Sequence, residues 1–289
     1  MLEVARVRRV PLALEQLLLL LPPGAAWTQE DLRSCVASHP AWGRLVDGYV
    51  HAGVPVPDLD IAEGRLRSEA MIHEAEAAVS DHLRPAAAFV HCIGVSGSVA
   101  YGLAEPGDDL DFFVVARRGG AWLFLLLAFL GSRRAHRAGS RASPWCFNYV
   151  VEEGAADGDF GVPQGLMVAR EALSVRLIKG DPFYRELLGH AEWMGAELPQ
   201  LYALRTGGGE ASPTPPPIGW ISRLVNLLVY PAVATYLQMA ALVGNHRLRR
   251  ESPTGCFRTE TTLHRYQLRT EHFDRLRGVY ARGIPASTD

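Results

Sequence analysis

Apolar and polar positions divide the chain into stretches of different period. Over residues 10–51 the apolar residues recur at helical spacing, and Thr28-Gln29-Glu30-Asp31 supplies a capping-box start. His39-Pro40 interrupts this helical stretch, and Pro55, Pro57 and Asp58 mark a loop after it. Residues 63–83 are expected to be helical again, with Leu66, Ile72, Ala75, Val79 and Leu83 along the chain at that period. From Pro85 the pattern shortens. Ala88–Ile93, Leu110–Val115 and Trp145–Glu152 read as strands, while Ala121–Leu130, Leu166–Leu177 and Pro182–His190 read as helices. An arginine-rich loop (Arg133, Arg134, Arg137, Arg141) is expected between the second strand's helix and the third strand.

The expected organisation is an N-terminal helical segment (1–62), a central domain (63–204), a Gly/Pro-rich linker (205–217) and a C-terminal helical segment (218–289). The fold class is α/β, α+β in strict usage, with a small mixed sheet flanked by helices. The N-terminal helices suggest a winged helix, but no wing hairpin is evident in the sequence. No internal repeat is present.

Composition narrows the function classes. Lysine and arginine number 29 against 31 aspartates and glutamates, a formal charge of −2, so no strong nucleic-acid signature exists. The basic charge is arginine except for Lys179. Cys35, Cys92, Cys146 and Cys256 lie far apart without CxxC spacing and read as core thiols in a reducing cytoplasm, with no zinc site expected. Arg6, Arg8 and Arg9 before Pro11–Leu21 imitate a signal peptide, but Glu15 and Gln16 break the apolar run, which reads as an amphipathic helix.

Leu224–Val243 is 20 residues without a charge, long enough for a bilayer. Asn226, Gln238 and the central Pro231 argue instead for a helix packed on the protein. Membrane association is therefore not the favoured reading, and a second copy of the chain is one candidate cover for this helix, giving a homodimer.

The stretch that carries chemistry is Gly94-Val-Ser-Gly-Ser-Val-Ala-Tyr-Gly102, then Asp108-Asp109-Leu110-Asp111-Phe112-Phe113. Residues i and i+2 of a strand share a face, so Asp109 and Asp111 present two carboxylates together. Such a pair repels itself unless a divalent cation neutralises it, and Mg²⁺ takes oxygen ligands. Gly97 lets backbone N–H groups approach an anion, and a helix starting near Ser98 would direct its N-terminus and the Ser98 hydroxyl at phosphate.

This constellation resembles the DNA polymerase β nucleotidyltransferase superfamily, and more narrowly an uncharacterised prokaryotic branch of it. Ala121-Trp122-Leu123, Arg133-Arg134, Cys146-Phe147-Asn148-Tyr149, Ala169-Arg170-Glu171, Gly180-Asp181, Trp193 and Leu198-Pro199 carry the narrower likeness, over residues 65–202. The resemblance implies that Gly97 and Ser98 hold the β- and γ-phosphates of an NTP and that Asp109 and Asp111 ligate Mg²⁺ or Mn²⁺. It implies transfer of a nucleoside monophosphate to an acceptor hydroxyl on a small molecule, RNA or protein, with release of pyrophosphate.

One departure stands out. The resemblance calls for a third carboxylate on the later core strand, where this chain has Asn148, which cannot act as a base. Glu152, four residues on and so expected on the same strand face, is the substitute. Tyr101 is a candidate for stacking on the base or for packing under the turn, and Arg133 and Arg134 for contacting the triphosphate or lying in a solvated loop. The alternative is a catalytically impaired nucleotide-binding or regulatory protein that keeps the fold.

Overall fold

The computed structural model describes residues 12–21, 27–41, 43–46, 48–52, 61–208, 216–251, 257–270 and 278. Its core is a mixed six-stranded sheet, an α/β arrangement as expected. The strands are β4 (Val90–Val95), β5 (Leu110–Ala116), β6 (Trp145–Glu152), β7 (Arg176–Lys179), β8 (Phe257–Thr262) and β9 (Arg265–Thr270), in the order β7-β4-β5-β6-β9-β8. Only β5 and β6 run parallel; the other neighbours are antiparallel. β5 is central because both of its faces are apolar. Leu110, Phe112, Val114 and Ala116 bury on one side, and Phe113 and Val115 on the other.

Helices cover both faces. On the Phe112 side lie α3 (Ile61–Ala77, continued by a π-turn over Ala78–His82), α5 (Ala121–Arg137) and α11 (Trp220–Glu251). On the Phe113 side lie α6 (Glu153–Gly161), α7 (Leu166–Ser174), α8 (Asp181–Gly189), α9 (Glu192–Glu197) and α10 (Pro199–Thr206). Trp122 on α5 is fully buried, and its indole N–H donates to the Leu263 carbonyl at 2.8 Å. Burying a side chain of that size contributes about 2–3 kcal/mol, and the bond fixes the β8–β9 turn to α5. Gly180 (φ +81°) carries the chain from β7 into α8 so close to β4 that a Cβ would overlap the His91 carbonyl.

Several expectations change in detail. The arginine-rich loop is not a loop: Arg133, Arg134 and Arg137 continue α5, where their charge complements the helix C-terminus. Leu166–Leu177 is a shorter helix that leads into the edge strand β7. Leu66 lies on the exposed side of α3, at 67% exposure.

The N-terminal segment is not purely helical. β1 (Leu12–Ala13), β2 (Arg44–Val46) and β3 (Tyr49–His51) form a second sheet of order β1-β3-β2, beside α1 (Leu14–Leu19) and α2 (Gln29–Ser38). β2 and β3 pair antiparallel around the turn at Gly48, a hairpin not expected from the sequence. Thr28 caps α2 as the sequence suggests, accepting from Asp31 N at 3.1 Å while Asp31 accepts from Thr28 N at 2.8 Å. The basic stretch Arg6–Arg9 and most of the Gly/Pro-rich linker lie outside the described residues.

The C-terminal segment also differs from a helical one. Its β8–β9 hairpin joins the main sheet through β9 on β6, so residues after the linker complete the central domain's sheet. The apolar run expected at 224–243 is helical, within α11. Trp220–Asn245 is long and apolar enough to cross a membrane. Its inner face nevertheless packs on the core through Val233, Ala234 and Leu237, while Ile221, Leu228, Met239 and Leu242 are exposed. The buried Asn226 carboxamide accepts from Trp122 N at 2.8 Å and Leu123 N at 3.0 Å, so a residue of α11 caps the first turn of α5.

Candidate metal and nucleotide site

The candidate site lies where β4 leaves the sheet and β5 enters it. β4 ends at Val95, and Gly97 turns the chain at φ +72° into a single helical turn, α4 (Gly97–Ala100). Ser96 N donates to the Asp111 carbonyl at 2.8 Å, locking this turn to the start of β5. A Cβ on Gly97 would stand 2.8 Å from Asp111 Oδ2, so the turn and the carboxylate are in van der Waals contact only because residue 97 is glycine. Ser98 Oγ donates to Asp108 Oδ2 at 2.6 Å, and Glu105 N donates to the same oxygen at 3.0 Å. Asp108 is a turn residue, and it orients Ser98.

Asp109 and Asp111 do converge. Their carboxylate oxygens and Cys146 Sγ all lie within 4.8 Å of one another. Cys146 is the registered partner of Asp111 across the parallel β5–β6 pair. Its thiol donates to Asn148 Oδ1 at 2.8 Å, and Asn148 Nδ2 donates to Asp111 Oδ1. Asn148 therefore holds the Asp111 carboxylate in place and offers no base.

The electrostatics of the cluster arise from its carboxylates. Burial pushes Asp111 up to about 8, helped by the negative charge of Asp109 and, more weakly, of Asp108 and Glu171. Burial likewise raises Asp109, with Asp108 adding to it. The Cys146 thiol is held protonated by burial and by the charges of Asp111 and Asp109. Such a group of donors is short of positive charge, and a divalent cation would supply it.

Glu152 is not part of this cluster. Between Asp111↔Cys146 and Phe113↔Tyr149 the register slips by one residue, a β-bulge in β6. The bulge turns Tyr149 to the Asn148 side and puts Glu152, the partner of Ala116, on the opposite sheet face. Glu152 also sits five β5 positions from Asp111's level, roughly 16 Å at about 3.3 Å per residue. It is buried there, accepting from Gly119 N at 2.9 Å and bonding His264 Nδ1 at 2.7 Å.

The other candidates divide similarly. Tyr101 is buried under the turn, and its ring face is covered by the Arg170 guanidinium at 4.5 Å, which leaves no platform for a base. Arg133 and Arg134 lie exposed on α5, across the sheet from Asp111, with no hydrogen bond or ion pair to the cluster among the described residues. His91 bonds Glu153 and stacks on Phe183 at 4.2 Å, a structural histidine.

Sequence reasoning missed Cys146 and Arg170 as neighbours of the site. Cys146 and Asn148 repeat on β6 the i, i+2 spacing of Asp109 and Asp111 on β5, a signal that becomes readable only with the strand register. Arg170, 6% exposed on α7, brings the nearest buried cation to the Gly97–Tyr101 turn. No protein-family model, curated protein or solved structure matches the chain.

Proposed function

We propose that this protein is a metal-dependent nucleotidyltransferase of the polymerase β type, moving a nucleoside monophosphate from an NTP to an acceptor hydroxyl. The observation that carries the reading is the convergence of Asp109 and Asp111 against the positive-φ Gly97 turn. In this reading the backbone N–H groups at Gly97 and Ser98 bind the β- and γ-phosphates, and Asp108 keeps Ser98 oriented for them. Asp109 and Asp111 would hold the divalent cation, Mg²⁺ or Mn²⁺, with Asn148 fixing the Asp111 rotamer. The cation, when bound, neutralises charge on the α-phosphate and the leaving group.

The acceptor oxygen forms a bond to the α-phosphorus, and the bond from that phosphorus to the bridging oxygen breaks, releasing pyrophosphate. With Glu152 on the other sheet face, the acceptor's proton would pass to a carboxylate of the cluster itself. A cytoplasmic location is part of the same reading.

The side chain of Asn148, where the polymerase β resemblance calls for a carboxylate, favours a second reading: a nucleotide-binding regulatory protein without turnover. Incubation with each of four labelled NTPs and Mg²⁺ or Mn²⁺ separates the two. Pyrophosphate release above the metal-free control supports transfer. Saturable binding without release supports the regulatory reading, and neither binding nor release contradicts both.

A further inference from the structure

The donor set does not match a magnesium site. Mg²⁺ demands a near-octahedral shell of hard oxygen donors and dehydrates reluctantly. Thiolate sulfur is a soft ligand that suits zinc and its first-row neighbours. Yet the third donor atom at this site is Cys146 Sγ, within 4.8 Å of a donor oxygen on each of Asp109 and Asp111. Its placement is a product of the fold. Cys146 is the residue that the parallel β5–β6 register sets beside Asp111, ahead of the bulge that shifts the rest of β6.

Cys146 also differs from the other described strand cysteine. Cys92 is wholly buried in the apolar core of the Phe113 face, as a small hydrophobic residue would be. Cys146 is half-buried beside Asp109, Asp111 and Asn148, with its thiol bonded to the Asn148 carboxamide. Asn148 links the two strands by bonding both the thiol and the Asp111 carboxylate, so it orients two of the three donors at once.

We propose that Cys146 is the third protein ligand of the centre, and that the site takes a thiophilic first-row divalent cation (Co²⁺ or Zn²⁺) in preference to Mg²⁺. This rests on the metal site of the proposed function and not on its transfer chemistry. On binding, the sulfur exchanges its proton for the metal: one S–H bond breaks, one sulfur–metal bond forms, and the proton leaves to solvent. No electron is transferred.

Titration of the metal-free full chain with Co²⁺, monitored by absorption, tests this directly. A thiolate-to-cobalt charge-transfer band is expected at one equivalent in the unaltered protein. Cys146→Ser should abolish the band, and Asp111→Asn should weaken Co²⁺ binding at least about tenfold. Competition should show Zn²⁺ displacing Co²⁺ far more readily than Mg²⁺ does in the unaltered protein, and a smaller margin in Cys146→Ser. Stoichiometric Co²⁺ binding without the band, or a band that survives Cys146→Ser, overturns the proposal while leaving a carboxylate metal site standing. No binding of Co²⁺, Mn²⁺ or Mg²⁺ overturns both.

Discussion

Gly97 and Asp111 occupy one another's space: a Cβ on Gly97 would lie 2.8 Å from Asp111 Oδ2, at a backbone φ of +72° that side chains other than hydrogen rarely tolerate. The turn that would cradle phosphate and the carboxylate that would hold metal are therefore one unit.

Gly97→Ala is expected to strain both parts. The left-handed conformation costs a non-glycine residue about 1–2 kcal/mol, and the added methyl displaces the carboxylate that Asn148 holds. Triphosphate binding should weaken much more than monophosphate binding, because the β- and γ-phosphates approach this turn. Titration calorimetry with an NTP and the matching NMP checks it; equal losses would indicate general misfolding.

Glu152 is expected to matter for stability and not for chemistry. Its buried carboxylate ties Gly119 N, at the approach to α5, to His264 in the β8–β9 turn. Glu152→Ala should lower the unfolding free energy by about 2 kcal/mol, as for a lost buried hydrogen bond to a charged group. Metal and nucleotide affinity should stay near those of the unaltered protein. Urea unfolding together with NTP binding measures both. A loss of turnover in Glu152→Gln with stability intact would restore a direct role.

The contrast between Asp111 and Glu152 shows how much was legible in the sequence. Asp109, just ahead of β5, and Asp111 within it bring their carboxylates together, as strand alternation leads one to expect. The same alternation applied to β6 gives the wrong face for Glu152, because the bulge beside Asn148 and Tyr149 leaves no mark in composition. Strands β4 to β6 and helices α5, α7 and α8 were readable from apolar runs. The two hairpins were not, although signals existed. Asp47-Gly48 is a strong turn dipeptide inside a segment read as helical. Phe257–Thr262 alternates between half-buried and exposed positions, but after Phe257 both faces are polar, so its period was faint. Arg133 and Arg134 looked like a basic loop because charge at a helix C-terminus and charge in a loop read alike in sequence.

The raised proton affinity of Asp111 sets a pH dependence. Burial, with Asp109 beside it, lifts its pKa to about 8, while the unfolded chain has an aspartate near 3.9. The folded metal-free protein therefore holds the Asp111 proton longer than the unfolded chain does. That contribution to stability is fully present below about pH 4 and is lost as pH rises through about 8. A bound divalent cation removes the penalty, so the gain in Tm on adding Mn²⁺ should grow across this window. Asp111→Asn should flatten the dependence. Thermal unfolding with and without Mn²⁺, at mildly acidic and mildly alkaline pH, decides it; an equal gain at both would contradict the assignment.

Asn226 reports on where α11 lies. Its carboxamide caps α5 through Trp122 N and Leu123 N while buried at 2% exposure. Asn226→Ala should destabilise the chain by about 1–2 kcal/mol. A helix that left the body to cross a bilayer would make no such contact, and the substitution would then leave stability unchanged. Expression without detergent should yield the chain in the soluble fraction; recovery only with membranes would contradict the packing of α11 on α5.

The most direct test of the central claim is NTP binding in the presence of Mn²⁺, compared by calorimetry between the unaltered chain, Asp109→Asn and Asp111→Asn. Each substitution keeps the shape of the side chain and removes one charged donor from the cluster. The proposed site predicts saturable, metal-dependent binding in the unaltered chain and a loss of at least about tenfold in each variant. Metal-dependent binding that persists unchanged in both variants would contradict it.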